Sequence, residues 1–182
     1  SFMILPKNQM SEEDIKRVYI TPEIEKKWGS DKITMETKVK FTDGKINLKG
    51  NKVFRENPKR ADYILYLNAN NPIAIIEAKD NNHSISYGLQ QAMTYAKMLD
   101  IPFAYSSNGD GFAEHDFLTG KERQFGLDEF PTKEELVARY KRESNKGVGL
   151  SPQEETVISQ PYYSSQKTYP PRYYQRIAIN RT

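Results

Sequence analysis

Ile73-Ala74-Ile75-Ile76 is apolar at every position, so neither face of this run can meet water without cost. It is far shorter than the ~20 residues that a membrane-crossing helix needs. A strand covered on both faces satisfies it, which predicts a position at the centre of a sheet with helices on either side. A second apolar run occupies residues 61–67, and the turn Asn68-Ala69-Asn70-Asn71, closed by Pro72, joins the two as a hairpin. Residues 33–41 alternate in the strand manner, with Ile33, Met35, Thr37, Val39 and Phe41 on one face and Lys38 and Lys40 on the other. Asp43-Gly44 signals a further hairpin, with a strand starting near Lys45 and a polar loop over 50–59.

Helical patterns surround these strands. Ser11-Glu12-Glu13-Asp14 is a cap followed by acids over the positive end of a helix dipole, and Ile15, Val18 and Tyr19 share a face. Thr21-Pro22 is expected to interrupt this helix and to start a second one, through Ile24 and Trp28 to Gly29. Ser84 or Ser86 opens a helix carrying Leu89, Ala92, Met93, Ala96 and Leu99. A short strand at 102–105, a turn at 108–111 and a strand at 112–117 follow. Pro131-Thr132 caps a helix through Leu136, Val137 and Tyr140. The predicted fold is α/β, a mixed central sheet flanked by helices. Residues 1–143 are expected to form the domain and 144–160 a linker, with a Tyr-, Pro- and Arg-rich segment at 161–182 beginning a second unit.

Acid-x-Lys triplets start at Asp14, Glu25, Glu36, Asp43 and Glu77, and in a chain with 28% charged residues most are accidents of the surface. Glu77-Ala78-Lys79 differs because it closes the buried strand, where an unpaired charge is costly. In an antiparallel hairpin the start of one strand lies beside the end of its neighbour, so Asp62 and Glu77 are expected to meet at one edge of the sheet. Strand alternation keeps Glu77 and Lys79 on one face. Two carboxylates in a partly apolar cleft repel each other, and a hard divalent cation with oxygen ligands relieves the repulsion. Such a cation, two carboxylates and an adjacent amine are the parts that phosphodiester hydrolysis requires. The same three residues would also make a plain buried salt-bridge cluster. Gln91 and Tyr95, four apart on the next helix, share a face that can lean over this cleft.

Taken together, Arg60-Ala61-Asp62-Tyr63-Ile64-Leu65-Tyr66, then Pro72-Ile73-Ala74-Ile75-Ile76-Glu77-Ala78-Lys79, then Gly88-Leu89-Gln90-Gln91-Ala92-Met93-Thr94-Tyr95-Ala96, then Tyr105-Ser106-Ser107-Asn108-Gly109 resemble the PD-(D/E)xK nuclease domain at the N-terminus of type I restriction enzyme motor (R) subunits. Ser11-Glu12-Glu13-Asp14 and Ile20-Thr21-Pro22 resemble that family's opening helix, so the likeness covers residues 11–120. It implies a restriction-endonuclease-like core with Asp62, Glu77 and Lys79 as catalytic residues, assisted by Gln91 and Tyr95. It implies Mg²⁺, with Mn²⁺ as substitute, held by Asp62, Glu77 and the Ala78 backbone carbonyl, with Glu12 as an upstream acid reaching the metal. It also implies double-stranded DNA as substrate, and methylase and specificity subunits as partners. Ala61 stands where the motif's name has Pro, a position that carries no chemistry.

The tail Pro171-Arg172-Tyr173-Tyr174-Gln175-Arg176-Ile177-Ala178-Ile179 resembles the adenine-reading Q motif of the same enzymes' motor, with Gln175 on the adenine. No phosphate-binding loop accompanies it, since Gly120-Lys121 precedes Glu122 and Gly44-Lys45 precedes Ile46. ATP therefore belongs to a longer motor subunit, from which this chain reads as a piece. Two other readings stand beside this one. The first is a catalytically inactive nuclease-fold domain that binds DNA or docks a motor. The second is a stand-alone repair nuclease, against which the Gln175 tail argues.

The net charge of +3 is unevenly spread. Residues 38–60 hold eight lysines and arginines against Asp43 and Glu56, and residues 161–182 hold four against no acid. Lys38, Lys40, Lys59 and Arg60 are accordingly candidate DNA contacts, although a solvated lysine-rich loop has the same composition. There is no cysteine, which removes disulfides and thiolate metal sites and fits a cytoplasmic protein. His83 and His115 lack partners at metal-ligand spacing, and Trp28 and the tyrosines read as core rather than as base-stacking platforms.

Overall fold

Among the described residues, six strands form one sheet whose spatial order follows the chain. They are β1 (Ile33–Val39), β2 (Lys59–Asn68), β3 (Asn71–Ala78), β4 (Phe103–Ser107), β5 (Gly111–Asp116) and β6 (Glu122–Gly126). The computed structural model describes residues 5–39 and 59–160, with the side chains of 37–39 and 59 outside that description. The α-helices are α1 (Glu12–Ile15), α2 (Thr21–Trp28), α3 (Leu89–Leu99), α4 (Lys133–Glu143) and α5 (Pro152–Ile158). Neighbouring strands are antiparallel except β3 and β4, which run parallel. A parallel pair needs a crossover, and α3 provides it.

The central strand is covered on both faces, with residues 73–76 fully buried. On one face α3 packs Leu89, Ala92, Tyr95 and Ala96 against Ile64, Ile75 and Ala104. The other face is larger and more aromatic. There Ile20, Ile24 and Trp28 meet Tyr63, Ile76, Phe103 and Tyr105, together with Leu136 and Tyr140 of α4. Each fully buried side chain of this size contributes about 1.5–3 kcal/mol. Trp28 also donates its indole N–H to the Pro131 carbonyl at 2.9 Å, which ties α2 to the start of α4. The mixed sheet between two helical layers is the α/β architecture that the alternating and continuous apolar runs predict.

Four local expectations need correction. Thr21-Pro22 does not break the helix. Lys16–Ile20 is a π-helical segment joining α1 to α2, and Thr21 N–H reaches back five residues to the Lys16 carbonyl. The wider turn relieves the clash that a proline ring makes with the carbonyl four residues earlier. The crossover helix starts at Leu89 with Gly88 as its cap, later than Ser84 or Ser86, because residues 84–88 spend their backbone bonds on turns (Tyr87 N–H to Ser84 O, Leu89 N–H to Ser86 O). β6, with the mostly polar sequence Glu122-Arg123-Gln124-Phe125-Gly126, is not among the sequence expectations; it adds to the edge at β5 by backbone pairing, with Phe125 alone packing on the core. Finally, the stretch read as a linker carries α5, started by a capping box between Ser151 and Glu154. That helix docks on the sheet through Asn68 Nδ2, which donates to the Val157 carbonyl at 2.8 Å.

The Asp43-Gly44 hairpin, the strand near Lys45, the loop at 50–58, Lys40 and the whole of 161–182, including Gln175, lie outside the described residues.

Candidate active site

The β2–β3 register pairs Tyr63 with Ile76 and Ile64 with Ile75, and one further step sets Asp62 beside Glu77. Alternation turns both side chains to the α3 face, the face of Ile64 and Ile75. Asp62 Oδ2 accepts the Ala78 N–H at 2.8 Å, which fixes the carboxylate against the end of β3. Lys79 follows, and its own N–H continues the ladder to the Ser107 carbonyl at 2.9 Å. The sheet thus brings the three side chains to one spot, and the helix that crosses over from β3 to β4 covers it.

Glu77 is 3% exposed, and its Oε1 is buried with no hydrogen-bond partner. Burial pushes its carboxyl up to about 9, aided by the charge of Asp62 beside it and a hydrogen bond with that group. Lys79 Nζ lies 3.4 Å from Gln91 Oε1, and Gln91 Nε2 donates to the Tyr95 hydroxyl at 2.8 Å. Gln91 and Tyr95 therefore form a relay from α3 to the amine. Burial raises the Tyr95 phenol, and the charges of Glu77 and Asp62 act in the same direction. Glu12, on α1, is also raised, first by burial and then by the charge of Asp62, with Lys79 opposing. It stands within the field of the site.

Asp62 and Glu77 are hard oxygen donors, and the unpartnered Glu77 oxygen suits a hard divalent cation. Among the described residues, no three His, Asp or Glu side chains are spaced to hold a metal ion by themselves. Glu12 is close enough to the acid pair for the charges of Asp62 and Lys79 to act on it. Arg60 is exposed on β2, two residues before Asp62, and pairs across β1 with Lys38. His83 stacks on Tyr87 at 4.1 Å, and His115 bonds Glu122 at 2.7 Å. No helix among the described residues is long and apolar enough to cross a membrane.

Residues 23–131, more than half of the chain, match the model of the type I restriction enzyme R protein N terminus (HSDR_N). The chain belongs to this family. Over 179 residues the R protein N terminus is 36% identical to the type I restriction enzyme EcoAI endonuclease subunit of Escherichia coli. That alignment takes in 96% of the chain but 22% of the relative, so the chain spans about a fifth of the curated relative's length. Its fold matches a fragment structure assigned to an HsdR subunit of a type I restriction enzyme from Vibrio vulnificus YJ016, with a TM-score of 0.68 and 39% identity. The match covers 94% of this chain and 32% of that one.

One buried charge in this R-protein domain escaped the sequence reading. Lys16 is 4% exposed and donates to Asp62 Oδ1 at 3.3 Å. Burial works to discharge the amine, but Asp62, Tyr63 and Glu13 outweigh it and hold Lys16 above the ordinary lysine range. A signal was available, because Lys16 heads the stripe Lys16, Ile20, Ile24 and Trp28 at four-residue spacing. A lysine in line with buried apolar residues needs a buried partner.

Gly88 is the close-packed point of the site. A Cβ there would lie 3.0 Å from Ser106 Oγ, 3.3 Å from Glu77 Cβ and 3.4 Å from Lys79 Cε, while Ser106 Oγ already accepts the Gly88 N–H at 3.0 Å. Gly88→Ala is therefore expected to destabilise the domain by about 1–3 kcal/mol through overpacking. Urea unfolding of the two proteins checks this, and an unchanged midpoint would show that α3 moves aside freely.

Proposed function

We propose that this domain is a Mg²⁺-dependent DNA endonuclease, acting within an ATP-dependent type I restriction complex. One observation carries the reading: the buried carboxyl of Glu77 and the half-buried carboxylate of Asp62 converge from neighbouring strands, one Glu77 oxygen has no hydrogen-bond partner, and an amine follows two residues on. A structural salt bridge would have paired that oxygen. Its family membership and the name of the Escherichia coli relative, an endonuclease subunit, support the same reading.

In this reading Asp62, Glu77 and the Ala78 carbonyl would hold Mg²⁺, or Mn²⁺ in its place, with Glu12 as a nearby acid. The bound ion would polarise a phosphate and lower the pKa of water. Lys79, held by Gln91 and through it by Tyr95, orients the attacking water and offsets charge on the phosphate. Arg60, with Lys38, Lys40 and Lys59, supplies contacts to the backbone of duplex DNA. Methylase and specificity subunits select the site. ATP is bound by the motor that residues 161–182 begin, with Gln175 on the adenine.

The test is plasmid cleavage by the full subunit complex with Mg²⁺ and ATP. Asp62→Ala and Lys79→Ala are expected to reduce cutting at least about a hundredfold, the scale of losing one transition-state contact, with ATP turnover retained. Cutting at the parental rate by either variant would remove the nuclease assignment in favour of a DNA-gripping or motor-docking domain.

A further inference from the structure

Lys16 is the one lysine among the described residues that is buried. Its Nζ lies 3.3 Å from Asp62 Oδ1, 3.3 Å from Glu13 Oε1 and 3.4 Å from Glu36 Oε1. Two irregularities of the backbone converge on it. The π-helical segment Lys16–Ile20 begins at this residue. Glu36, inside β1, takes a φ of 55°, a left-handed value uncommon outside glycine. Both kinds of irregularity concentrate where a functional side chain must be aimed.

The two Asp62 oxygens are committed differently. Oδ2 accepts the Ala78 N–H on the Glu77 side, and Oδ1 faces the ammonium. Paired ions in two-metal phosphodiesterases sit about 3.5–4 Å apart and share a carboxylate. A second ion bound through Asp62 Oδ1 would fall on the Lys16 ammonium. The spacings of 3.3–3.4 Å suit an ammonium and exceed the ~2.1 Å that Mg²⁺ requires of its ligands.

We propose that Lys16 stands in for a second cation: its ammonium holds Asp62 and occupies the place between the acids around it, so that the site takes a single divalent ion on the Glu77 side. This rests on the nuclease reading above and specifies its metal count. Lys16 is a positioning residue. It acts through Asp62 and touches neither the ion nor DNA.

The experiment is a Mn²⁺ titration of the full R subunit without nucleotide, followed by the paramagnetic resonance of free Mn²⁺. Ions are counted as the difference from Asp62→Ala, so that other sites in the longer chain cancel. The parent is expected to bind one ion, lost in Glu77→Ala. Lys16→Met, which leaves three carboxylates with no cation, is expected to bind two, and Lys16→Arg one. A merely structural lysine would leave the count unchanged or lower it. Lys16→Gln, which keeps a polar head among the acids, is the second variant and is also expected to bind two. Two ions in the parent, or one in both Lys16→Met and Lys16→Gln, overturns the inference and leaves the nuclease reading standing. The absence of any Glu77-dependent ion in the parent defeats both.

Discussion

Glu77→Gln is expected to melt higher than the parent near neutral pH without divalent ions, and to lose DNA cleavage. Burial and the charge of Asp62 push the Glu77 carboxyl up to about 9 in the folded protein, from its ordinary value of 4.5. Between those values the native state binds more protons than the unfolded one, so this group lowers stability as pH rises. Below 4.5 both states are protonated and the penalty is absent. Each unit of displacement is worth about 1.4 kcal/mol, so near neutrality the substitution should gain at most about 3–4 kcal/mol, less whatever the amide loses at its unpartnered oxygen. Thermal melts across pH check this. The gain should vanish in acid and be largest toward pH 9. Adding Mg²⁺ should then raise the parent and leave the variant unmoved, because a ligand stabilises only the state that binds it. A variant no more stable than the parent across the whole range would show that the acid pair carries no stored repulsion.

Arg139→Ala should be the most damaging change away from the site. Arg139, on α4, donates to both oxygens of Glu114 at 2.9 and 3.0 Å and to Asp116 Oδ2 at 2.9 Å. Both acids lie on β5 and are nearly inaccessible, at 1% and 4% exposed. Burial raises the Glu114 carboxyl, but the bonds from Arg139, Arg123 and Tyr105 more than reverse this and leave it below the ordinary range. Removing one partner of such a cluster strands the others, which costs about 3–5 kcal/mol. Arg123 and the Tyr105 hydroxyl still reach Glu114, at 2.9 and 2.6 Å, so the lower end of that range is expected. In a domain of this size, about 3 kcal/mol lowers the melting temperature by roughly 6–12 °C. A loss below 1 kcal/mol by calorimetry would mean that water replaces the guanidinium without strain.

Much of the architecture was legible because it follows from local periodicity. The continuous apolar run at 73–76 needs two covered faces and becomes β3, buried on both sides. Thr132 caps α4 with Glu135 completing the box, as the Pro131-Thr132 start suggests. β6 was not legible, because an edge strand of Glu, Arg and Gln with a single packed Phe125 is held mainly by backbone bonds and leaves no alternating hydrophobic signature. Neither was the continuity of the first helix, since Pro22 ordinarily ends one and the π-helical segment that rescues it has no sequence marker. The capping box Ser151-x-x-Glu154 was written in the chain but was outweighed by the surrounding Gly, Ser and Pro.

Local periodicity and turn residues suffice to say which residues share a strand face and which strands follow one another by tight turns. Asp62, Glu77 and Lys79 could therefore be assigned to one sheet edge from alternation and a hairpin alone. Their surroundings come from long-range packing: Gly88 pressed against Glu77 and Lys79, the Gln91–Tyr95 relay to the amine, and Lys16 brought from a helix 46 residues upstream of Asp62. Those contacts join segments far apart in the chain. They depend on helix packing angles and backbone irregularities that reflect the sum of many small interactions rather than any local pattern.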